Sequence, residues 1–168
     1  MTSLVPIESL NTAALVEFVA ALRPLFEAAD PLAKALYGAR PFASYAELLD
    51  RAEALMPALT RQEQIEVVNA HPRIGASPST VSEASYKEQG YAAEAGQDLT
   101  DVYARLRQLN AQYEQRFGFR FVVFVNGRSK AAVADVLDQR VNGQPDQELQ
   151  VALHEMIAIA RDRLRTLR

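Results

Sequence analysis

Apolar residues recur every three or four positions along most of this chain, the spacing of one helix face. Over residues 11–27 they are Leu15, Phe18, Val19, Leu22, Leu25 and Phe26. Asn11 or Thr12 offers a cap at the start. Pro24 has no amide hydrogen and should kink or split the helix. Asp30-Pro31 suits a restart with proline in the first turn, and residues 38–42 read as a loop. Ser44-Tyr45-Ala46-Glu47 and Thr60-Arg61-Gln62-Glu63 are capping-box patterns. In each, the hydroxyl accepts from a backbone amide three residues on and the glutamate reaches back. They predict helices over about 45–56 and 60–70, the second with Ile65, Val68 and Val67 on its apolar face.

The second of these helices runs into Asn69-Ala70-His71-Pro72-Arg73-Ile74-Gly75. Pro72 disfavours helical backbone at the preceding residue, so His71 is predicted at or just past a helix C-terminus. The partial negative charge of the last carbonyls favours an imidazolium there. Residues 75–82 are rich in Ser, Gly, Pro and Thr and predict a loop. A short helix ending at Gly90 should carry Ser85, Glu88 and Gln89. Residues three and four apart share a face, so one hydroxyl, one carboxyl and one amide point the same way.

A long helix follows over 98–116, striped by Val102, Leu106, Leu109 and Tyr113. Then the helical period breaks. The run Phe117-Gly118-Phe119-Arg120-Phe121-Val122-Val123-Phe124-Val125 is aromatic and β-branched, which favours a buried extended segment. The chain offers no second clear strand to pair with it. Its backbone amides and carbonyls therefore need other partners, either a ligand or a neighbouring loop. Asn126-Gly127 turns the chain, Ser129 caps a helix to about Val141, and Asn142-Gly143 ends it. The last helix opens within 144–147 and carries Leu149, Leu153, Met156, Ala160, Leu164 and Leu167 near heptad spacing. The expected fold is all-α: an irregular bundle of about eight helices with one short extended segment, forming a single domain over residues 1–168.

Composition narrows the function. The chain has 168 residues, 49% hydrophobic and 23% charged, with a formal net charge of −3. These are ordinary values for a globular protein, and the slight acidity argues against a nucleic-acid partner. Without cysteine, thiolate catalysis and cysteine-ligated metal centres are excluded. No apolar run approaches the length of a membrane span. Met1-Thr2-Ser3-Leu4 lacks the features of a secretory signal, and Thr166-Leu167-Arg168 is not the Ser-Lys-Leu address. A cytoplasmic location is the expectation.

The candidate chemistry centres on His71. A lone histidine is more often structural than catalytic. His71, however, sits at a helix–loop boundary, is flanked by Pro72 and Gly75, and has the Ser85/Glu88/Gln89 group close in sequence. Histidine exchanges protons near neutral pH, and a carboxylate such as Glu88 would orient it and stabilise its charged form. The only other histidine, His154, precedes Glu155 without H-E-x-x-H spacing and reads as a partly exposed helix residue. A metal site would need His71 with distant carboxylates, and no metal is expected. There is no G-x-S-x-G elbow, Walker loop or Rossmann fingerprint. Arg73, Arg120 and Arg128 could meet an anionic substrate, although solvated surface charges are the commoner role. Arg163 could be a solvated helix residue or a carboxylate clamp.

Taken together, these stretches resemble the 2-oxo-4-hydroxy-4-carboxy-5-ureidoimidazoline (OHCU) decarboxylases of urate degradation. The resemblance runs through Leu10-Asn11, Phe26-Glu27, Arg40-Pro41-Phe42, Ala70-His71-Pro72-Arg73-Ile74-Gly75, and Ser85 with Glu88-Gln89. It continues through Leu109-Asn110, Tyr113, Phe117-Gly118-Phe119, Phe121-Val122, Arg140, Asn142, Glu148, Ala152-Leu153, Glu155 and Arg163-Leu164. It departs at Asp30-Pro31-Leu32, where the family often has Ser-Pro-Trp, and at Gly90-Tyr91-Ala92, where Ala-Gly-Leu is frequent. The resemblance implies an all-helical homodimer that uses no metal or organic cofactor and releases CO₂ from its small-molecule ureidoimidazoline substrate to give (S)-allantoin. It implies that His71 is the catalytic histidine and Glu88 its acidic partner. Pro72, Ser85 and Gln89 become substrate contacts, and the segment containing Phe119, Phe121, Val122 and Val123 supplies backbone contacts. Arg163 is the basic residue near the carboxylate, with Arg161 the competing register. The readings to be weighed against it are a decarboxylase of a related ureido acid and a helical small-molecule-binding module without catalysis.

Overall fold

A computed structural model describes residues 3–167; of the termini read for targeting signals, Met1-Thr2 and Arg168 lie outside them. The described residues form ten α-helices and no strand: α1 (Ile7–Thr12), α2 (Leu15–Ala21), α3 (Arg23–Phe26), α4 (Asp30–Gly38), α5 (Tyr45–Leu55), α6 (Arg61–Asn69), α7 (Glu83–Glu88), α8 (Thr100–Phe117), α9 (Lys130–Arg140) and α10 (Pro145–Thr166). Short 3-10 turns cover Met56–Ala58, Pro78–Thr80 and Tyr91–Glu94. The fold is all-α, as expected. The helix count exceeds the expected eight because α1 opens ahead of the region read as one helix over 11–27, and that region itself divides into α2 and α3. Among the described residues no helix is long and apolar enough to cross a membrane. The chain divides into two compact units, one holding the residues up to His71 and those from Met156 onward, the other Pro72–Glu155.

In the first unit, α4 packs on α2, α5 and α6 around buried Phe18, Leu32, Leu36, Leu48 and Val68. Pro24 does break the early helix, sitting in the first turn of α3. Asn11 is not the cap. It lies inside α1, and its amide makes a two-way pair with the backbone of Phe42: Nδ2 donates to Phe42 O (2.8 Å) and Oδ1 accepts from Phe42 N (2.9 Å). Arg40 adds bonds to the carbonyls of Asn11 and Ala13 and stacks 3.6 Å from the centre of the Tyr37 ring. The Thr60 box is complete. At Ser44 the hydroxyl caps Glu47 N, but the Glu47 carboxylate goes to Ala43 N instead. On α6, Val67 and Val68 are buried with Gln64, whose Nε2 donates to Met56 O (3.0 Å); Ile65 is half-buried.

In the second unit, α8 packs along α9. The α8 stripe buries Leu106, Leu109, Tyr113 and Phe117, with Val102 half-buried. Gly118, in the left-handed region at φ 79°, ends the helix and releases the chain into the extended segment. Of the expected α10 stripe, Leu149 and Leu153 are buried in this unit and Met156, Ala160 and Leu164 in the first, while Leu167 falls beyond the helix.

Candidate functional site

The second unit brings together most of the predicted site residues. Ser82 caps α7, its hydroxyl accepting from Ser85 N at 3.1 Å. Six residues of helix then put Ser85 and Glu88 on the inner face, with Gln89 as the C-cap. Ser85 and Gln89 are completely buried and Glu88 is 9% exposed, whereas Lys87 and Glu83 pair on the outer face at 2.8 Å. Gly90, at φ 72°, stops the helix directly after this row.

The extended segment lies against it. Phe119, Phe121, Val122, Val123 and Val125 are all buried, as a run hidden on both faces requires. Side chains satisfy part of its backbone. Glu88 Oε1 accepts from Val125 N (3.0 Å), and Glu155 Oε2 accepts from Phe124 N (2.6 Å). Arg140 Nη1 donates to Val122 O (2.8 Å), and Arg128 Nε donates to Val125 O (3.0 Å). The amides of Phe121, Val122 and Val123 donate to no group among the described residues. The neighbouring loop, through Arg128, is thus one partner of this backbone, and side chains from three helices, which the sequence did not foretell, are the others.

A buried charged cluster holds the segment in place. Glu148 Oε2 accepts from both Tyr113 Oη (2.7 Å) and Arg140 Nε (2.9 Å). The Arg140 guanidinium lies 4.7 Å from the centre of the Phe121 ring, and Tyr113 meets Phe117, Phe119 and Phe121 edge-on. Burial and the bond to Glu148 push the Tyr113 phenol above its ordinary pKa.

Behind Gln89 sits Lys130, fully buried at the first turn of α9. Its ammonium donates to Gln89 O, lies 3.5 Å from Glu94 Oε2 and is 4.4 Å from the centre of the Tyr91 ring. Burial lowers its pKa, while Glu94 opposes the shift. Neither Lys130 nor Tyr91 was given a role by the sequence. A lysine just after a cap residue has the pattern of a solvated helix start, and only the packed structure gives it buried acceptors.

The first unit holds His71 and Arg163. His71 follows α6, its amide donating to Val68 O at 3.2 Å, and the residue is 3% exposed. It therefore sits just past a helix C-terminus, as expected. Arg163, equally buried, donates from Nη2 to Glu27 Oε1 (2.9 Å) and from Nη1 toward Pro24 O and Leu25 O. It is no solvated residue. Arg161 instead pairs with Asp50 and Glu53 at the surface.

Pro72 opens the second unit half-buried. Arg73 pairs with Glu114 at 2.6 Å in an exposed ion pair. Gly75 is fixed by crowding: at φ 74°, a Cβ there would come 3.0 Å from Leu106 Cδ1. Among the described residues no group of three His, Asp or Glu side chains could hold a metal ion.

Comparison with known proteins places these residues in context. The family model for OHCU decarboxylase matches residues 11–165. The mouse 2-oxo-4-hydroxy-4-carboxy-5-ureidoimidazoline decarboxylase is 35% identical over 90% of this chain and 86% of its own. The uric acid degradation bifunctional protein PucL of Bacillus subtilis (strain 168) is 33% identical over 85% of this chain, which spans 28% of that longer protein. A crystal structure of OHCU decarboxylase in the presence of (S)-allantoin superposes with a TM-score of 0.69 at 25% identity, covering 86% of this chain and 95% of that one.

Proposed function

Because the chain belongs to the OHCU decarboxylase family, we propose that it decarboxylates 2-oxo-4-hydroxy-4-carboxy-5-ureidoimidazoline to (S)-allantoin in urate degradation. The substrate's name defines its chemistry. One ring carbon carries both hydroxyl and carboxylate, and its neighbour carries the ureido group within a C=N bond. Breaking the bond to the carboxylate releases CO₂; the freed electron pair forms a C=C bond to the ureido-bearing carbon, and the C=N pair moves onto the ring nitrogen, which takes up one proton, giving an enol. The enol hydroxyl then loses its proton while the ureido-bearing carbon gains one, and the face that receives it sets the (S) centre. The ring is its own electron sink.

In this reading His71 and Glu88 act at the hydroxyl and carboxylate end, moving the proton and stabilising the enol-like charge. Arg163 meets the carboxylate and Pro72 packs against the ring. Ser85, Gln89 and the amides of the 119–123 segment hold the ureido and ring groups. The observation that carries the reading is the buried Ser85/Glu88/Gln89 row tied through Glu88 Oε1 to Val125 N, beside buried amides at 121–123 that donate to nothing else described. Fixed donors aimed at developing charge are usually the largest catalytic contribution.

The test follows allantoin rate and chirality on substrate freshly generated from urate by urate oxidase and a hydrolase that opens its product. His71→Asn and His71→Ala should each lose about 10²-fold or more in rate, the worth of a positioned acid or base, and the residual product should be racemic. Wild-type rate and chirality in both variants would sink the assignment. The same reading makes the protein a cytoplasmic homodimer. Light scattering at twice the chain mass and fractionation of cells are the checks.

A further inference from the structure

Gln89 and Tyr91 present a problem of proton counting. A phenolic hydroxyl has one proton to donate. Tyr91 Oη lies 2.7 Å from Ala76 O and 3.1 Å from Gln89 Oε1, and both of those oxygens only accept. The shorter contact takes the proton, which leaves two oxygens facing each other across 3.1 Å. Gln89 Nε2, meanwhile, is buried and meets no acceptor among the described residues. Turning the terminal amide by half a turn exchanges Oε1 and Nε2 and moves no other heavy atom. Tyr91 then donates to Ala76 O, Gln89 Nε2 donates to the phenol oxygen, and one more hydrogen bond is made. The amide oxygen takes the buried position that the nitrogen occupied.

The ring that imposes this choice is itself held. Tyr86 stacks on Tyr91 with centroids 5.3 Å apart. The Lys130 ammonium lies 4.4 Å from the ring centre and also donates to Gln89 O, so one cation fixes both the ring and the backbone of the glutamine.

We infer that Tyr91 is a positioning residue that locks Gln89 with its amide nitrogen toward the phenol and its carbonyl oxygen toward the ligand, so that the site selects an N–H donor at this point. A ureido group offers such donors, and a group carrying only carbonyl oxygens does not. The inference rests on Gln89 contacting the substrate, as proposed above.

The orientation can be read without any substrate. In ¹⁵N,¹³C-labelled wild-type protein, assigned by triple-resonance experiments, the Gln89 side-chain NH₂ should show a strong NOE to the Tyr91 ring protons. That amide proton should shift in Tyr91→Phe. Absence of the NOE in the wild-type protein overturns the orientation, whether or not the variant folds. Adding (S)-allantoin should move the Gln89 side-chain carbonyl ¹³C resonance. An unmoved carbonyl with the NOE present leaves the orientation standing and overturns the substrate contact. Tyr91→Phe should raise KM about tenfold with kcat within about twofold, because an interaction made equally in ground and transition states acts on KM alone. A fall in kcat at unchanged KM overturns the positioning role.

Discussion

Replacing Glu148 by leucine should cost more stability than any surface change and should be partly repaired by a second substitution. The carboxylate is 9% exposed and its Arg140 partner 14%, so both charges sit largely out of water. Glu148→Leu removes the acceptor of two hydrogen bonds, stranding a buried guanidinium and the Tyr113 hydroxyl. Breaking a buried pair from one side costs about 3–5 kcal/mol, and we expect about 4 kcal/mol. With a urea m-value of about 2 kcal/mol/M, the midpoint falls by about 2 M. Arg140→Met leaves Glu148 one donor, Tyr113, and frees Val122 O; about 3 kcal/mol is expected. In the double variant neither charge remains, so the loss should be about 2 kcal/mol or more smaller than the sum. Urea unfolding followed by circular dichroism on the four proteins closes the cycle. Additivity within about 0.5 kcal/mol would refute the pair as a coupled unit, as would a single-variant loss under about 1 kcal/mol.

Other outcomes follow from the same structure. Gly75→Ala should lower the melting temperature more than Gly90→Ala: both have positive φ, worth about 1–2 kcal/mol against a Cβ, but only at Gly75 does the Cβ meet a neighbour. Equal shifts would remove the crowding argument. Arg161→Met should change stability by less than about 1 kcal/mol, since its ion pairs are exposed, whereas Arg163→Met should cost about 3 kcal/mol by breaking its largely buried ion pair with Glu27 from one side; chemical denaturation compares them. Burial raises Tyr45 to about 12 and also raises Tyr91 and Tyr113. A raised folded-state pKa means the native protein holds protons that the unfolded chain releases. Stability is therefore full below pH 10 and falls as pH climbs toward 12. Absorbance at 295 nm should show these phenols ionising together with alkaline unfolding; their ionisation in the still-folded protein near pH 10 would contradict it.

What the chain disclosed in advance divides by the reach of the interaction. Thr60 and Glu63 satisfy each other three residues apart, so the start of α6 could be read from four letters. Pro24, Gly90 and Ser129 act through their own backbone or the next turn and were equally legible. Asn11 looked like a cap because its usual partners are local, yet its amide went to Phe42, 31 residues on. No local pattern encodes that register. The candidate site follows the same division. The i, i+3, i+4 spacing of Ser85, Glu88 and Gln89 gave a shared face, and the broken period after Phe117 gave an extended segment with backbone to satisfy. That Glu88 would reach Val125, Glu155 Phe124 and Arg140 Val122 depends on which turns of α7, α9 and α10 come to lie beside that segment. Lys130 is the extreme case: its letters describe a solvated charge, and its place is decided by Gln89 O, Glu94 and the Tyr91 ring together. A buried cation survives only where several acceptors converge. Its place behind Gln89 therefore ties the end of α7 and the 91–94 turn to the first turn of α9, so that the backbone of Gln89 is held by residues on both.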